Sequence, residues 1–445
     1  MRFNRIFWLA ALLLCVGQLW ALHIEPVGEP DVDYTFVDNG GDTIYIFLDE
    51  IHLRCKDGAP TDWYDINDQL LYANIDEIYP DEGGYYTLRD DEKEYFYVFS
   101  YKDYRPNSAD WELTLAPGCD ASTLTLNGTL PKPMTYTLPD GRTRTVTRQC
   151  TISYTDLTWG GENGWTDAPA TLSFTFPQTT FILPALYQAT DLTLTADNLA
   201  QTFGVTPVTT TTTLDEPIAV KSRVVNRTVK RDATNERDKP DGDSTLTGSA
   251  ALDIQFYSNP TPATSYFIWQ VYHGTTLLYT RNDENLHEIF SEPGVYSVVC
   301  KVSSAACPCE TCNQDSTELT VTIKESELLV PNVFTPNGDG TNDEFRVQYR
   351  SITEFHCWIF NRWGKLVYEW TDPAKGWDGM IGGRPAAEGA YYYVIRARGT
   401  DADSKQNYVG KPTYNRWKND KEKSSNLIGI YQLSGDINLI RGKQK

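Results

Sequence analysis

Beyond the first twenty residues, apolar and polar positions alternate with a period of two, and the spacing of amphipathic helices is nearly absent. Thr43-Ile44-Tyr45-Ile46-Phe47-Leu48, Tyr95-Phe96-Tyr97-Val98-Phe99, Thr171-Leu172-Ser173-Phe174-Thr175-Phe176 and Leu192-Thr193-Leu194-Thr195 are the clearest runs. They are short, rich in β-branched and aromatic residues, and bounded by Gly, Pro, Asn or Asp. The pattern predicts an all-β chain of tandem sandwiches.

The N-terminus breaks this pattern. Met1-Arg2-Phe3-Asn4-Arg5 precedes an apolar run from Ile6 to Val16, too short to span a bilayer. A cationic start and a short apolar run predict a secretory signal peptide over residues 1–21, cleaved after Ala21. Lipidation at Cys15 is disfavoured, because Leu14 is bulky and Cys15 lies inside the apolar run.

Pattern and punctuation divide the remainder into an acidic β-sandwich at 22–118 and a Thr-rich β domain at 119–225. A charged linker at 226–243 and two further modules at 244–324 and 328–445 follow. Thr209 to Thr213 reads as an edge strand or a spacer. The length of 445 residues suits three or four domains. Aromatics make up 13%, with 27 Tyr and 12 Trp, which suits half-buried sheet faces.

The formal net charge is -21, and loss of Arg2 and Arg5 with the signal takes it to -23. No nucleic-acid partner is expected, because phosphate binding needs a positive field. The charge is uneven: residues 22–118 carry 23 acidic and 6 basic residues, and residues 328–445 carry 13 and 17. Such asymmetry points to different tasks at the two ends.

Nine cysteines are present, and Cys300, Cys307, Cys309 and Cys312 are clustered. Four thiolates can bind zinc, but two separated Cys-x-x-Cys pairs are lacking, so disulfides are the expected use in an exported protein. Cys357 lies in an apolar run and is expected to be a buried thiol.

Cys55, Trp63 and the Gly83-Gly84-Tyr85-Tyr86 stretch resemble the layout of an immunoglobulin-like sandwich. Gly248 to Phe256, Tyr266-Phe267-Ile268-Trp269, Gly294-Val295-Tyr296 and Glu318 to Ile323 resemble a PKD domain. That resemblance implies an immunoglobulin-like spacer or interaction module with Trp269 as core plug. The fold expected of the whole is therefore tandem immunoglobulin-like β-sandwiches.

The C-terminal module carries an ordered series: Pro336-Asn337-Gly338-Asp339-Gly340, Asn342-Asp343, Asn361-Arg362-Trp363-Gly364, Trp377-Asp378-Gly379, Gly389 with Tyr391, and Arg441 after Leu439-Ile440. The series resembles the gliding-motility-associated C-terminal domain of Bacteroidetes, the type B sorting domain of type IX secretion. The resemblance implies a route: export by a Sec signal, recognition by the type IX translocon, and retention at the cell surface by an outer-membrane anchoring protein. The stretch from Lys405 to Ser425, with Lys405, Lys411, Arg416, Lys418, Lys421 and Lys423, expands the connection before the last strand and is expected to be solvated.

Two readings compete at each motif. Asn337, Asp339 and Asp343 crowd oxygens into one loop, which fits calcium or a turn capped by its own side chains. Trp363 and Trp377 fit either a recognition surface or core aromatics under tight turns, and the core role is expected for both.

No enzyme is expected. His23, His52, His273, His287 and His356 lack metal-pair spacing, and no nucleophile elbow or phosphate loop appears. No cofactor beyond the calcium reading is called for. Paired carboxylates leave a glycan-active hydrolase as a third alternative. Adhesion or ligand binding, to a glycan or a host protein, is the leading expectation, with a structural spacer second. Trp159 and Trp165 flank a glycine-rich loop and are the chosen candidates for a ligand platform; Trp63, Tyr64 and Trp111 are others. Asp42-Thr43, Asp243-Ser244 and Asp315-Ser316-Thr317 fit a short O-glycosylation pattern.

Overall fold

A computed structural model describes residues 24–56, 58–89, 92–161, 164–242, 245–306, 314–402 and 429–441. The signal peptide, Cys307, Cys309, Cys312, the Asp243-Ser244 pattern and the basic stretch 405–425 lie outside the described residues. The chain forms two compact units, Met1–Ala219 and Val220–Lys445.

In the first unit, strands Tyr34–Asp38, Thr43–Phe47, Glu92–Ser100, Gly83–Arg89, Thr61–Asp65 and Leu70–Ile75 form a six-stranded sheet in that order. It packs on a three-stranded sheet built from Ile24–Pro26, Leu53–Cys55 and Glu77–Ile78. The alternation read from sequence sends Tyr45, Phe47, Trp63, Phe96 and Val98 into one core. The second sandwich sets Trp165–Phe176, Arg148–Trp159, Thr190–Ala196 and Val208–Leu214 against Glu112–Ala116, Ala121–Asn127 and Thr180–Pro184. The threonine run is thus an edge strand, paired with Thr190–Ala196.

A third core joins these sandwiches within the unit. Met134, Tyr136, Leu138 and Val146 pack with Ile44, Ile46, Tyr97 and Phe99, and with Leu199, Ala200 and Phe203 at the helix Asn198–Thr202. Beside it, Arg148 and Asp197 form a fully buried ion pair. Arg148 Nε donates to Asp197 Oδ2 (2.6 Å), and Tyr101 Oη donates to Asp197 Oδ1 (2.7 Å). Asp197 also caps the helix by accepting from Ala200 N.

In the second unit, a five-stranded sheet holds Thr247–Gly248, Gln314–Ile323, Gly294–Ser303, Tyr266–His273 and Thr276–Arg281. It packs on Val225–Thr228, Leu252–Tyr257 and Asn285–Phe290. Trp269 is fully buried in that core, and its Nε1 donates to Asp283 O. The C-terminal sheet runs Val333–Phe334, Ile430–Leu439, Gly389–Gly399, Ile352–Phe360 and Leu366–Trp370, with Phe334, Phe345, Ile359, Trp377 and Ile395 in its core.

Two features depart from the segments drawn on sequence. Glu112–Ala116 pairs with Ala121–Asn127, so a division at 118/119 would cut one hairpin. Within 226–243, Val225–Thr228 pairs with Leu252–Tyr257, and several residues that follow bond to distant segments while Asp232, Arg237 and Asp238 stay exposed. Asn235 Nδ2 donates to Val347 O and Pro373 O, Arg237 N donates to Tyr349 O, and Asp238 pairs with Lys324 and Arg350. The charges looked unpartnered in sequence because their partners lie about a hundred residues away.

Candidate functional site

The C-terminal motifs, scattered over a hundred residues of sequence, converge at one end of one sheet. Ile352–Phe360 ends there, Leu366–Trp370 and Gly389–Gly399 begin there, and Ile430–Leu439 ends there, because Phe360 pairs with Tyr392 and Leu366, and Leu439 with Gly389.

Pro336 to Asp343 form a turn closed by its own donors. Asp343 Oδ1 accepts from Asn337 N (2.9 Å) and Gly338 N (2.6 Å), and Oδ2 accepts from Gly340 N (2.7 Å). Asp339 Oδ1 accepts from Thr341 N, its Oδ2 accepts from Asn337 Nδ2, and Asn337 Oδ1 accepts from Asp339 N. Gly338, Gly340 and Asn342 take positive φ (79°, 83° and 53°), which turns successive N–H groups onto the carboxylate. These N–H groups hold the Asp343 carboxyl below the usual carboxylate range. This is the geometry of a side-chain-capped turn. Among the described residues, no group of three or more His, Cys, Asp or Glu is arranged to hold a metal ion.

The two tryptophans part company. Trp377 is fully buried, its Nε1 donates to Met380 O (2.8 Å), and its ring lies 5.0 Å from Tyr391 and 5.4 Å from Phe334. Asp378 Oδ1 accepts from Met380 N and shapes the following turn at Gly379. Trp363, expected in the core, is instead 75% exposed. It sits in the tight turn between Ile352–Phe360 and Leu366–Trp370. Asn361 Oδ1 accepts from Trp363 N and Lys365 N (3.0 Å each), Gly364 takes φ 79°, and the Arg362 guanidinium lies 4.3 Å from the Trp363 ring centroid.

Arg441 ties the end together. Its Nη1 donates to Pro336 O (3.2 Å) and its Nη2 to Gly379 O (2.9 Å), while its backbone N donates to Glu388 Oε1 (2.6 Å). Gly389 takes φ 130° at the strand entry, and Tyr391 Oη donates to Ala387 O.

Trp159 and Trp165 face each other across the last register pair of a long hairpin, with centroids 5.3 Å apart at 75°. Both are partly exposed. Pairing with Thr190–Ala196 stops at Ser153, so the hairpin tip extends past the neighbouring strand. Trp63 and Trp111 are core residues, with indole N–H groups donating to Ile75 O and Thr129 O. Tyr64 stacks on Tyr86 at 5.0 Å.

The described histidines are committed to neighbours: His52 to Glu77 and Tyr79, His273 to Tyr296, His287 to Asp253, His356 to Glu369 and Trp358. Cys357 is a buried thiol held well above its ordinary pKa by burial, and burial pushes Cys150 and Cys300 up to about 12. The Arg148–Asp197 pair and the Asn235–Asp238 contacts had no sequence signal, since their partners are far apart along the chain.

Residues 328–410 match the CHU_C type IX secretion signal domain, and residues 114–212 match a fibronectin type III domain. Among curated proteins, none matches the chain. Among solved structures, the chicken CNTN1 FN1–FN3 domains are 11% identical, with 65% of this chain and 92% of that one covered at a TM-score of 0.23. Dimeric latent PorU from Porphyromonas gingivalis is 10% identical (78% and 35% covered, TM-score 0.16). The native conformation of E. coli alpha-2-macroglobulin is 8% identical (94% and 31% covered, TM-score 0.16). Superpositions this partial carry no functional argument.

Proposed function

We propose that this chain, which carries a type IX secretion signal domain behind a fibronectin type III domain, is a non-enzymatic protein displayed on the cell surface. Residues 328–445 act as its sorting and attachment signal, read by the type IX machinery and held by an outer-membrane partner. The observation that carries this is the match over residues 328–410, together with the convergence of the Pro336, Asn361, Trp377, Gly389 and Arg441 motifs at one end of a single folded sheet. A signal read as a folded object needs its elements fixed in space, and Arg441 fixes three of them.

In this reading the sandwiches before residue 328 are the displayed cargo, with 244–324 a PKD-like module. They serve adhesion or ligand binding, and the favoured contact point is the Trp159/Trp165 hairpin tip. Two indoles at a projecting tip offer rigid apolar faces to a glycan or a host protein at low entropic cost.

Deletion of residues 328–445 tests the route. The truncated chain is expected to accumulate in the periplasm, inaccessible to protease added outside the cell. Surface display at the level of the intact chain would overturn the assignment. For the cargo, the full chain and its Trp159→Ala/Trp165→Ala variant are compared on a glycan array; silence of both favours a spacer role.

A further inference from the structure

We propose that the Asn361–Lys365 turn is the docking knob of the sorting domain, with Trp363 as its anchor and Arg362 and Lys365 as its charged collar. The partner is a protein pocket, apolar at its base and rimmed by carboxylates. This rests on the sorting role proposed above and names the surface that performs it.

A single exposed apolar side chain is ordinary in a folded protein. Three further observations set Trp363 apart. First, the turn is held rigid: Asn361 Oδ1 accepts from both Trp363 N and Lys365 N, and Gly364 N donates to Asn361 O. A side chain presented from a fixed turn loses little entropy on binding. Second, the Arg362 guanidinium lies over the indole, 4.3 Å from its centroid, and Trp and Arg are both among the residue types enriched at binding hot spots. Leu366 and Ile440 are also exposed at this end of the sheet.

Third, this end is the distal one. Ile352–Phe360 starts beside the preceding sandwich, where Ser351 N donates to Ser249 Oγ and Ala250 N donates to Ser351 Oγ. Nine residues of strand then carry the chain roughly 25–30 Å to the knob. A partner can therefore approach Trp363 without meeting the preceding sandwich of the same unit.

The charges decide the partner. Asp339, Asp343, Asp378 and Glu388 at this end are turned onto backbone N–H groups. Arg362 and Lys365 flank the tryptophan from exposed positions. The charged side chains that flank the anchor directly, Arg362 and Lys365, are both cationic, so the rim that meets them is anionic.

The test uses the full chain in cells with a type IX system, with Trp363→Ala, Trp363→Phe and the residue 328–445 deletion side by side. Trp363→Ala is expected to lower surface display about tenfold or more, as for a hot-spot residue. It should accumulate folded in the periplasm with an unchanged melting curve, while Trp363→Phe keeps most display. Display of Trp363→Ala at the intact level, when the deletion strands the chain, overturns this inference and leaves the sorting assignment standing. Normal display of the deletion overturns both. Purified full chain is also mixed with phosphatidylcholine–phosphatidylglycerol vesicles; binding that disappears in Trp363→Ala would assign the knob to lipid and overturn the protein pocket.

Discussion

Replacing Trp377 with alanine should unlock the C-terminal sheet. A buried tryptophan removes about 200 Å² from water, which at about 25 cal/mol per Å² amounts to ~5 kcal/mol. Measured large-to-small core replacements of this kind cost about 3–5 kcal/mol. Trp377 is fully buried, with the rings of Phe334, Tyr368 and Tyr391 packed around it. A loss of about 4 kcal/mol is a large part of the 5–15 kcal/mol typical of a domain. Hydrogen exchange of the Gly389–Gly399 amides in the full chain reads it directly, because that strand has a partner on both sides. The expected change is roughly a thousandfold faster exchange. Trp377→Phe keeps most of the ring area but leaves Met380 O without its donor, so a smaller loss of about 1–3 kcal/mol is expected. Less than a tenfold change in Trp377→Ala would refute the view that this residue is the plug of the fold.

Other outcomes follow from the same geometry. Because its folded-state pKa is depressed by Gly338, Gly340 and Asn337 N–H groups, Asp343 contributes stability that is complete above the ordinary carboxylate value of 3.8 and is lost as pH falls through the lower folded value. Asp343→Ala should flatten that acid limb in thermal melts, and EDTA should leave the melting curve of the intact protein unchanged; a drop on chelation would support calcium at Asn337, Asp339 and Asp343. In the first unit, Arg148→Ala leaves Asp197 buried without its cation, and a loss of about 3–5 kcal/mol is expected in hydrogen exchange of the Arg148–Trp159 and Thr190–Ala196 strands. A change under 1 kcal/mol would show that the pair is replaceable by water.

The period-two alternation was sufficient for the all-β class, because side chains on a strand must alternate between core and solvent. Trp269 as a core plug and Cys357 as a buried thiol were legible for the same local reason. The ordered motifs from Pro336 to Arg441 were legible as turn chemistry, since glycine and Asx residues mark positive φ and side-chain caps without reference to distant partners.

Tertiary structure decided the rest. Trp363 and Trp377 have nearly the same local setting, a tryptophan beside glycine near a strand end, yet one is exposed and the other enclosed. The difference lies in what distant segments place over each: Phe334, Tyr368 and Tyr391 cover Trp377, and the described residues leave Trp363 three-quarters exposed. The charged stretch near Asp238 looked like a linker because its partners, Lys324 and Arg350, are out of sequence range. Burial and ion pairing depend on where distant segments meet. Local pattern specifies which face of a strand turns inward, but not which neighbour waits there.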